Sequence, residues 1–383
     1  MEERIAVVGS GSTKYEPETE KYSWKELMYQ AASKAYEDAG LNPRKDIDSF
    51  VTCAEDYWEG FSIFDEFVPD QLGAVLKPTC TVCGDGLHGL AVACMQIMSG
   101  MVDVVAVEAH SKISDLTTYN DVVLHAFDPV YNKPLAGHPY YVAGMEMNKF
   151  LEESGNTEEQ CASVVQKNMA NALRNPLAPY GRDVGIDEVM GSEPMFSPAK
   201  KLDISRLADG SVVLVLASAE KAKCITDEPV WISGFGWNSE TPWLEGREWG
   251  RASYAEDSSK MAYEMAGIVK PHNEIDFAEV DDKFSYKELM HIEALGLAEK
   301  GQGGKDLENG RFHHDGDLPI NISGGSLGCG NLLEASGLHR ALEVVLQLRG
   351  NVGERQLKEA ERGLAQSWRG VPTASGAVVI FER

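Results

Sequence analysis

A cysteine at the start of a predicted helix has the position that most clearly suggests chemistry. Cys83 follows a short predicted strand and precedes the glycines Gly84 and Gly86 and a long apolar stretch typical of a helix. Backbone N–H groups and the macrodipole at a helix N-terminus favour a thiolate, which is both nucleophilic and a good leaving group. The pattern predicts a nucleophilic cysteine; a buried, inert cysteine is the alternative.

Cys80 and Cys83 also form a CxxC pair, for which zinc binding and redox chemistry are the usual interpretations. A zinc site needs a second pair of ligands, and the sequence has no other CxxC. Redox chemistry would need an exposed thioredoxin-like context, so both interpretations have weak support and we assign no metal site. The glycine-rich segment 9–14 lacks the third glycine of the dinucleotide fingerprint and the P-loop spacing, so nucleotide binding is not expected there.

A second glycine-dense loop precedes another apolar helix near the C-terminus. Residues 321–325 read NISGG and residues 326–331 read SLGCGN, so the loop contains Ser323, Gly324, Gly325, Cys329 and Asn331. Two helices that present their N-termini together form a positive focus suited to stabilising an oxyanion. We expect this loop to face Cys83; the alternative is a tight packing loop.

The two helices belong to a repeated pattern. Residues 35–48 read AYEDAGLNPRKDID and residues 262–276 read AYEMAGIVKPHNEID, while 86–97 (GLHGLAVACMQI) and 337–348 (GLHRALEVVLQL) share Gly, Leu, His and Gln at identical offsets. Two echoes in the same order indicate a tandem duplication. The similarity of 22–28 to 284–290 has a conflicting register, and we discount it.

Strands alternate with amphipathic helices in both halves, for example the predicted strand 5–8 and the predicted helix 24–39. This alternation favours an α/β fold with parallel sheets covered on both faces. We predict an N-terminal half at 1–114 and 206–227, an inserted loop domain at 115–205 that forms the mouth of the site, and a C-terminal half at 228–383. A helix is expected at 157–173 within the insertion.

Composition restricts the classes of function. The 383 residues contain 35 Lys and Arg against 60 Asp and Glu, a formal net charge of −25, which disfavours nonspecific binding to nucleic acid or anionic membranes. Seven scattered cysteines do not resemble a disulfide framework, and no signal peptide or long apolar span is evident. We expect a cytoplasmic protein.

The ordered set of motifs resembles the thiolase superfamily. Its CxxG nucleophile loop is matched at 83–86, its NxSGG loop at 321–325, its DGAAA strand at 209–213 and its terminal strand at 376–379. The resemblance covers nearly the whole chain and is strongest to the sterol-carrier-protein-type and archaeal branch. That branch includes thiolases that work with a small zinc-ribbon/OB-fold subunit, such as the benzoylsuccinyl-CoA thiolases.

The resemblance implies a duplicated five-layer αβαβα fold, a homodimer, and acyl transfer through a thioester on Cys83. Coenzyme A is then a substrate, and no other cofactor is needed. We expect cleavage of a bulky, possibly aromatic, 3-oxoacyl-CoA, and a small zinc-ribbon/OB-fold partner subunit. Ser323, Gly324 and Gly325 would bind the substrate or its oxyanion.

The chain departs from the family at the groups that move protons. Asn331 stands where the family has the histidine of its GHP motif, and Asp281 and Lys283 replace a histidine and a second cysteine. The late loop at 368–373 contains no thiol. An amide donates a hydrogen bond but does not take a proton at neutral pH. Cys329 is a candidate second thiol and Asp281 a candidate base if burial raises its pKa.

Two alternatives follow from these departures. A retro-aldol lyase on the same fold would use the oxyanion loops without a covalent cysteine step. A non-catalytic scaffold subunit would explain the missing histidine and second cysteine.

Overall fold

The computed structural model describes residues 4–55, 63–135 and 137–383. The first part of the chain alternates strands and helices, as the hydrophobic periodicity predicts. Its elements are β1 (Ile5–Ser12), α1 (Trp24–Ala39), α2 (Pro43–Asp46), β2 (Ser49–Cys53), α3 (Pro69–Leu72), β3 (Thr79–Val82), α4 (Gly86–Met98) and β4 (Val104–Ser111).

A mainly helical segment follows, in the region expected to be an insertion. It comprises α5 (Tyr119–Val123), α6 (Tyr141–Ser154), α7 (Glu158–Ala172), α8 (Ile186–Met190) and a small hairpin of β5 (Pro194–Phe196) and β6 (Ala199–Lys200). Helix α7 agrees with the predicted helix at 157–173, because Thr157 caps it and accepts a hydrogen bond from the Gln160 backbone N–H.

The chain then completes the first half and forms the second. The remaining elements are β7 (Gly210–Ser218), α9 (Ala219–Ile225), β8 (Val230–Ser239), α10 (Ser253–Ala266), α11 (Pro271–Glu274), β9 (Phe277–Glu279), α12 (Ser285–Ala294), α13 (Gly303–Glu308), α14 (Gly325–Cys329), α15 (Ala335–Arg349), β10 (Arg362–Arg369) and β11 (Ser375–Glu382).

The strand order shows the duplication. One nine-stranded sheet runs β3-β2-β4-β7-β1-β8-β11-β10-β9, so β1 and β8 meet at the centre and the two halves repeat the same order outwards. An isolated parallel bridge between Ala278 and Ile320 stands in the second half where β3 stands in the first. The first sequence echo falls on equivalent helix ends: Gly40 and Gly267 end α1 and α10 with φ of 65° and 67°, in the left-handed region that glycine favours.

The prediction of parallel sheets is correct only at the outer edges. The pairs β2–β3, β2–β4 and β9–β10 are parallel. The central pairs are antiparallel, because β7 returns between β4 and β1 while β11 returns from β10 through a short loop. The halves are therefore mixed sheets, which the alternation of strands and helices did not reveal.

Helices α4 and α15 form the middle layer. Both contact strands of the two halves, whereas α1 packs on β1 and β7 and α10 packs on β8 and β11. The apolar core around α4 and α15 draws buried side chains from both halves, among them Leu90, Leu338 and Val379. This order of layers agrees with the expected αβαβα arrangement, and it places the start of α4 against the start of α15.

Candidate active site

A cavity of about 790 Å³ lies where the two halves and the inserted segment meet. The first half contributes three residues, the inserted segment five, and the second half eleven. In that order they are Glu55, Cys83 and Asp85; Tyr119, Val122, Val123, His125 and Ala126; and Asp281, Lys283, Asn331, Leu333, Glu334, Ser336, Trp368, Arg369, Gly370, Val371 and Thr373. The cavity thus brings together Cys83, Asn331 and Asp281 of the predicted site.

Cys83 lies just after β3 with its side chain exposed in the cavity. Nη2 of Arg369 lies 3.8 Å from its sulfur, and Nε of Arg369 donates to Oε1 of Glu55 at 2.5 Å. A guanidinium beside a thiol favours the thiolate by direct electrostatic attraction. Arg369 therefore supplies the positive charge that the sequence analysis assigned to a helix N-terminus.

The two helix N-termini do converge, but they converge on Asp85. Its Oδ1 accepts a hydrogen bond from the Leu87 backbone N–H at 2.9 Å, and its Oδ2 accepts one from the Gly337 backbone N–H at 2.8 Å. The Gly86 backbone N–H donates to the Glu334 carbonyl oxygen at 2.7 Å. The positive focus predicted for an oxyanion is therefore occupied by a carboxylate of this chain, which corrects that expectation.

Burial raises the pKa of Asp85 to about 6, although the hydrogen bonds from Leu87 and Gly337 act in the opposite direction. The side chain is nearly inaccessible, yet Asp85 contributes to the cavity wall. Asp85 therefore joins α4 to α15 and can exchange a proton near neutral pH.

The glycine that both segments of the second echo share, Gly86 and Gly337, has a steric reason. A Cβ added to Gly86 would lie 2.5 Å from Cγ of Leu338, and one added to Gly337 would lie 1.8 Å from Oδ1 of Asp85. Only glycine allows the two helix starts to approach this closely. The repeated Gly-Leu-His pattern thus marks the contact that positions Cys83 and Asn331.

Asn331 is held from both sides by the segment that leads into β7. Its backbone N–H donates to the Arg206 carbonyl oxygen at 2.7 Å, and its carbonyl oxygen accepts from the Ala208 N–H at 3.1 Å. Its side-chain Oδ1 accepts from the Leu333 backbone N–H at 3.1 Å. The buried Nδ2 group has no hydrogen-bond partner among the described residues, and Asn331 is one of the residues that line the cavity.

Trp368 provides a second donor of this kind. Its buried Nε1 has no partner within the described parts of the chain. The ammonium of Lys287 lies 3.9 Å from the centre of the Trp368 rings, a cation–π contact that fixes the indole in the wall. The sequence analysis did not identify Trp368, although it singled out the loop that begins there.

Asp281 lines the cavity, but its pKa is not raised as the sequence analysis expected. Its Oδ2 lies 2.8 Å from Nη2 of Arg340. Burial alone would raise the pKa of Asp281, but Arg340 and then His291 outweigh burial and hold it below its ordinary value. The expected upward shift is absent, so Asp281 is a weak proton acceptor.

Cys329 is not among the described residues that line the cavity. It is fully buried, its sulfur donates to the Ser323 carbonyl oxygen at 3.2 Å, and burial together with the negative charge of Glu279 raises the pKa of its thiol well above the usual range. The structure therefore places the predicted second thiol behind the loop, away from the cavity.

The NISGG loop is also behind the cavity wall. Ser323 donates to Glu279 through both its N–H, at 3.0 Å, and its hydroxyl, at 2.5 Å. Gly324 and Gly325 adopt φ of 102° and 57°, and an added Cβ would collide with Ala172 and with Asp282 respectively. These glycines therefore lie in a tightly packed loop, which is the alternative that the sequence left open.

Two of the histidines lie outside the cavity, and a third lines it. Burial lowers the pKa of His88 to about 4 and that of His339 to about 3, and neither residue is among the cavity-lining set. His125, in the inserted segment, does line the cavity, and Lys133 lies 3.2 Å from its Nδ1. The sequence analysis overlooked His125, Arg369 and Glu55, because nothing local distinguishes them from surface residues.

Comparison with known proteins identifies the family. The chain is 32% identical to an acetyl-CoA acetyltransferase of Methanothermobacter thermautotrophicus, over 99% of both chains. The chain belongs to the thiolase superfamily. The family described as "Thiolase C-terminal domain-like" matches residues 243–383. The predicted enzyme class, a thiolase-type acyltransferase, is confirmed.

Two further comparisons extend this result. The benzoylsuccinyl-CoA thiolase subunit BbsB of Thauera aromatica is 26% identical to this thiolase, over 75% of this chain and 73% of the relative. A solved structure titled "Ltp2-ChsH2(DUF35) aldolase" superposes with a TM-score of 0.83 at 24% identity, over 98% of this chain and 97% of that one. The solved structure of human mitochondrial 3-ketoacyl-CoA thiolase superposes with a TM-score of 0.74 at 15% identity, over 99% of this chain and 98% of that one, which confirms the thiolase fold expected from the motifs.

Within residues 4–55, 63–135 and 137–383, no group of three or more His, Cys, Asp or Glu side chains is arranged to hold a metal ion. None of the described helices has the length and apolar character needed to cross a bilayer.

Proposed function

We propose that this thiolase transfers acyl groups between coenzyme A thioesters through an acyl-thioester on Cys83. The observation that carries the proposal is the exposure of the Cys83 thiol in a large cavity, 3.8 Å from the Arg369 guanidinium. Asn331 and Trp368 line the same cavity, and each has a buried side-chain N–H without a partner in the described parts of the chain, a donor type suited to an oxyanion.

In the cleavage direction, the Cys83 thiolate attacks the 3-oxo carbon of a 3-oxoacyl-CoA. The tetrahedral oxyanion collapses, the bond between C2 and C3 breaks, and its electron pair passes to the thioester enolate, which takes a proton to release acetyl-CoA or its homologue. The thiolate of free CoA then attacks the acyl-enzyme carbonyl and regenerates the Cys83 thiolate. Among the described residues of the cavity wall, we assign proton transfer to Asp85, because its pKa of about 6 is near neutral pH.

Intact-mass spectrometry tests the covalent step. The protein is mixed with acetyl-CoA, the substrate named for the Methanothermobacter relative. We expect a mass increase of one acetyl group, located on Cys83 by peptide mapping and absent from C83S. The exposed cysteine Cys224, which lies outside the cavity, provides the matched control C224S, which should still be acetylated. Wild-type protein that stays unmodified with both acetyl-CoA and benzoylsuccinyl-CoA would refute the acyl-enzyme.

A retro-aldol lyase is the second candidate. It is favoured by the burial of Cys329 outside the cavity, because carbon–carbon cleavage without an acyl-enzyme needs no second thiol. The Ltp2-ChsH2 protein, whose fold this chain shares, is itself named as an aldolase. C83S separates the candidates: a lyase keeps most of its cleavage activity, whereas a thiolase loses it. The scaffold alternative predicts neither an adduct nor cleavage.

The cavity also supports a bulky, aromatic acyl group. Its volume of about 790 Å³ is in the upper part of the range for small-molecule pockets, and Tyr119, Trp368, Val122 and Val371 line it. Benzoylsuccinyl-CoA, named for the Thauera relative, is such a substrate. We expect kcat/KM for benzoylsuccinyl-CoA to exceed that for acetoacetyl-CoA. Efficient cleavage of acetoacetyl-CoA alone would contradict a specialised pocket.

We further propose a cytoplasmic homodimer that binds a small zinc-ribbon/OB-fold subunit. Strand β3 is at the edge of the sheet with half-buried residues, and such edges are normally covered. The Thauera relative is named as a subunit, and the Ltp2-ChsH2 aldolase is named after two components. Light scattering after co-expression with a zinc-ribbon/OB-fold protein from the same genome tests the partner, and an unchanged mass would exclude that pairing.

A further inference from the structure

The charged side chains of the cavity wall are mostly neutralised by one another. Arg369 donates to Glu55 at 2.5 Å, and Asp281 lies 2.8 Å from Arg340. Asp85 accepts backbone N–H groups from both central helices. Each of these groups is committed to a contact within the protein.

Lys283 differs from them. It lines the cavity and is half-buried, and its Nζ donates to the Gly370 carbonyl oxygen at 2.8 Å. No carboxylate of the described residues lies within ion-pair distance, 4.0 Å, of this ammonium. An ammonium has three donors, so Lys283 retains hydrogen-bonding capacity, and its charge, which also helps to lower the pKa of Asp281, is not held in an ion pair within the described residues. A half-buried charge without a partner is costly, and a ligand anion would relieve that cost.

The backbone around Lys283 is fixed. Its N–H donates to Oδ1 of Asp281 at 3.0 Å, and its carbonyl oxygen accepts from the Ser205 N–H at 2.9 Å. The ammonium also lies 6.0 Å from the centre of the Trp368 rings. The side chain is therefore held against the wall, and the charge has a defined position in the cavity.

The position of Lys283 is tied to that of the nucleophile. Gly370, which accepts from Lys283, follows Arg369, which contacts the Cys83 sulfur. Consecutive residues of one loop thus contact the ammonium and the thiol. An acyl group bound to Cys83 would have Lys283 as the cation without a carboxylate partner in the described wall.

We propose that Lys283 binds a carboxylate on the acyl group, so that the preferred substrates are CoA thioesters of dicarboxylic acids. This inference rests on the proposed acyl transfer to Cys83. The other acidic residues that line the wall, Asp85, Asp281 and Glu334, offer no positive charge to an anion, so we expect a ligand carboxylate to bind at Lys283. The carboxylate therefore determines the orientation of the acyl chain as well as its affinity.

The test compares acyl groups of equal shape and different charge. Succinyl-CoA and glutaryl-CoA are paired with 4-methylpentanoyl-CoA and 5-methylhexanoyl-CoA, in which an isopropyl group replaces the carboxylate. The rate of acylation of Cys83 is followed by intact mass. We expect at least one charged thioester to react about tenfold faster than its neutral counterpart, the effect of one charge-assisted hydrogen bond.

K283M should abolish this preference, so that the ratio of the rates for charged and neutral thioesters falls to about one. K260M is the matched control, because Lys260 is 71% exposed and pairs with Asp257 on the surface. Equal rates for charged and neutral thioesters in the wild type, or a preference that persists in K283M, would overturn the inference. Acylation by neutral thioesters alone would refute the carboxylate site and keep the thiolase proposal, whereas no acylation at all would refute the proposed function.

If K283M fails to fold, the comparison of charged and neutral thioesters in the wild type still tests whether the site prefers a carboxylate. That comparison requires no variant, because the substrates themselves differ only in charge.

Discussion

Asn331 shows how a single side chain can keep a position in the active site and change its chemistry. Its backbone is clamped by Arg206 and Ala208, and only its Nδ2 group is left without a partner among the described residues. An amide in this position stabilises negative charge on oxygen and does not accept a proton. Proton transfer must therefore come from another group, and Asp85 has a suitable pKa in the same wall.

We expect N331A to lower kcat about 10²- to 10³-fold with little change in KM, because the lost hydrogen bond strengthens only as the oxyanion forms. Steady-state kinetics measures both constants. N273A, which changes an exposed asparagine of α11, should retain wild-type values. An effect of N331A on KM alone would assign the amide to ground-state binding.

The contact between α4 and α15 is the structural unit that positions the nucleophile. Asp85 accepts hydrogen bonds from α4 and α15, and Gly337 leaves room for its carboxylate. The apolar faces of both helices are buried between the half-sheets. A small displacement of α15 would therefore move Asn331 and Cys83 relative to each other.

G337A should separate the two helices, because the new Cβ would lie 1.8 Å from Oδ1 of Asp85. We expect a loss of about 1–3 kcal/mol in the free energy of unfolding, together with slower acylation of Cys83. Urea denaturation and intact mass measure the two effects. G185A is the control, since a Cβ there meets nothing within 4 Å; equal stability of G337A and wild type would contradict the close contact.

Glu279 connects β9 to the NISGG loop through two hydrogen bonds from Ser323. Burial, and next the charge of Glu343, raises the pKa of Glu279 to about 8 from an ordinary value of 4.5. The folded protein then retains a proton that the unfolded chain has lost. Stability should fall as pH rises through this window, because the unfolded state binds fewer protons there.

The variant E279Q removes this ionisation and keeps the shape of the side chain. Between pH 6 and pH 8, wild-type protein should lose stability relative to E279Q by up to about 1.4 kcal/mol per pH unit. Urea denaturation at several pH values measures the difference. Parallel pH profiles for the two proteins would show that Glu279 is ionised in the folded state.

The whole molecule is two copies of one mixed sheet joined edge to edge through β1 and β8, with both central helices between them. One outer edge is β3, and near it the α4 residues Met95 and Met98 are 41% and 44% exposed. Exposed methionines beside an edge strand are typical of an interface. This surface is where we place the proposed contact between two copies of the chain.

M98E should convert the proposed dimer to a monomer, because it puts a charge into an apolar contact. Size-exclusion chromatography with light scattering gives the mass. M261E is a matched control, because Met261 on α10 is 43% exposed and lies in the other half. A dimer that survives M98E, or that is lost equally in M261E, would place the contact elsewhere.

Local patterns in the sequence were sufficient to predict many of the helices and strands and the tandem duplication. The helix 24–39 has its predicted bounds, the echoes fall on equivalent helices, and Cys83 lies between β3 and α4 as expected. These features depend on the periodicity of apolar residues and on glycine caps, which act between residues close in the chain. The motif set was also sufficient for the superfamily.

Only the tertiary structure determined which groups meet at the cavity. Strand direction, the burial of Cys329, the ion pair of Asp281 with Arg340 and the contact of Arg369 with Cys83 join residues far apart in the chain. Charge and hydrogen bonding act over a few ångströms of space, so chain order does not reveal their partners. For that reason the sequence singled out Cys83 as the candidate nucleophile, while the fold decided which groups surround it.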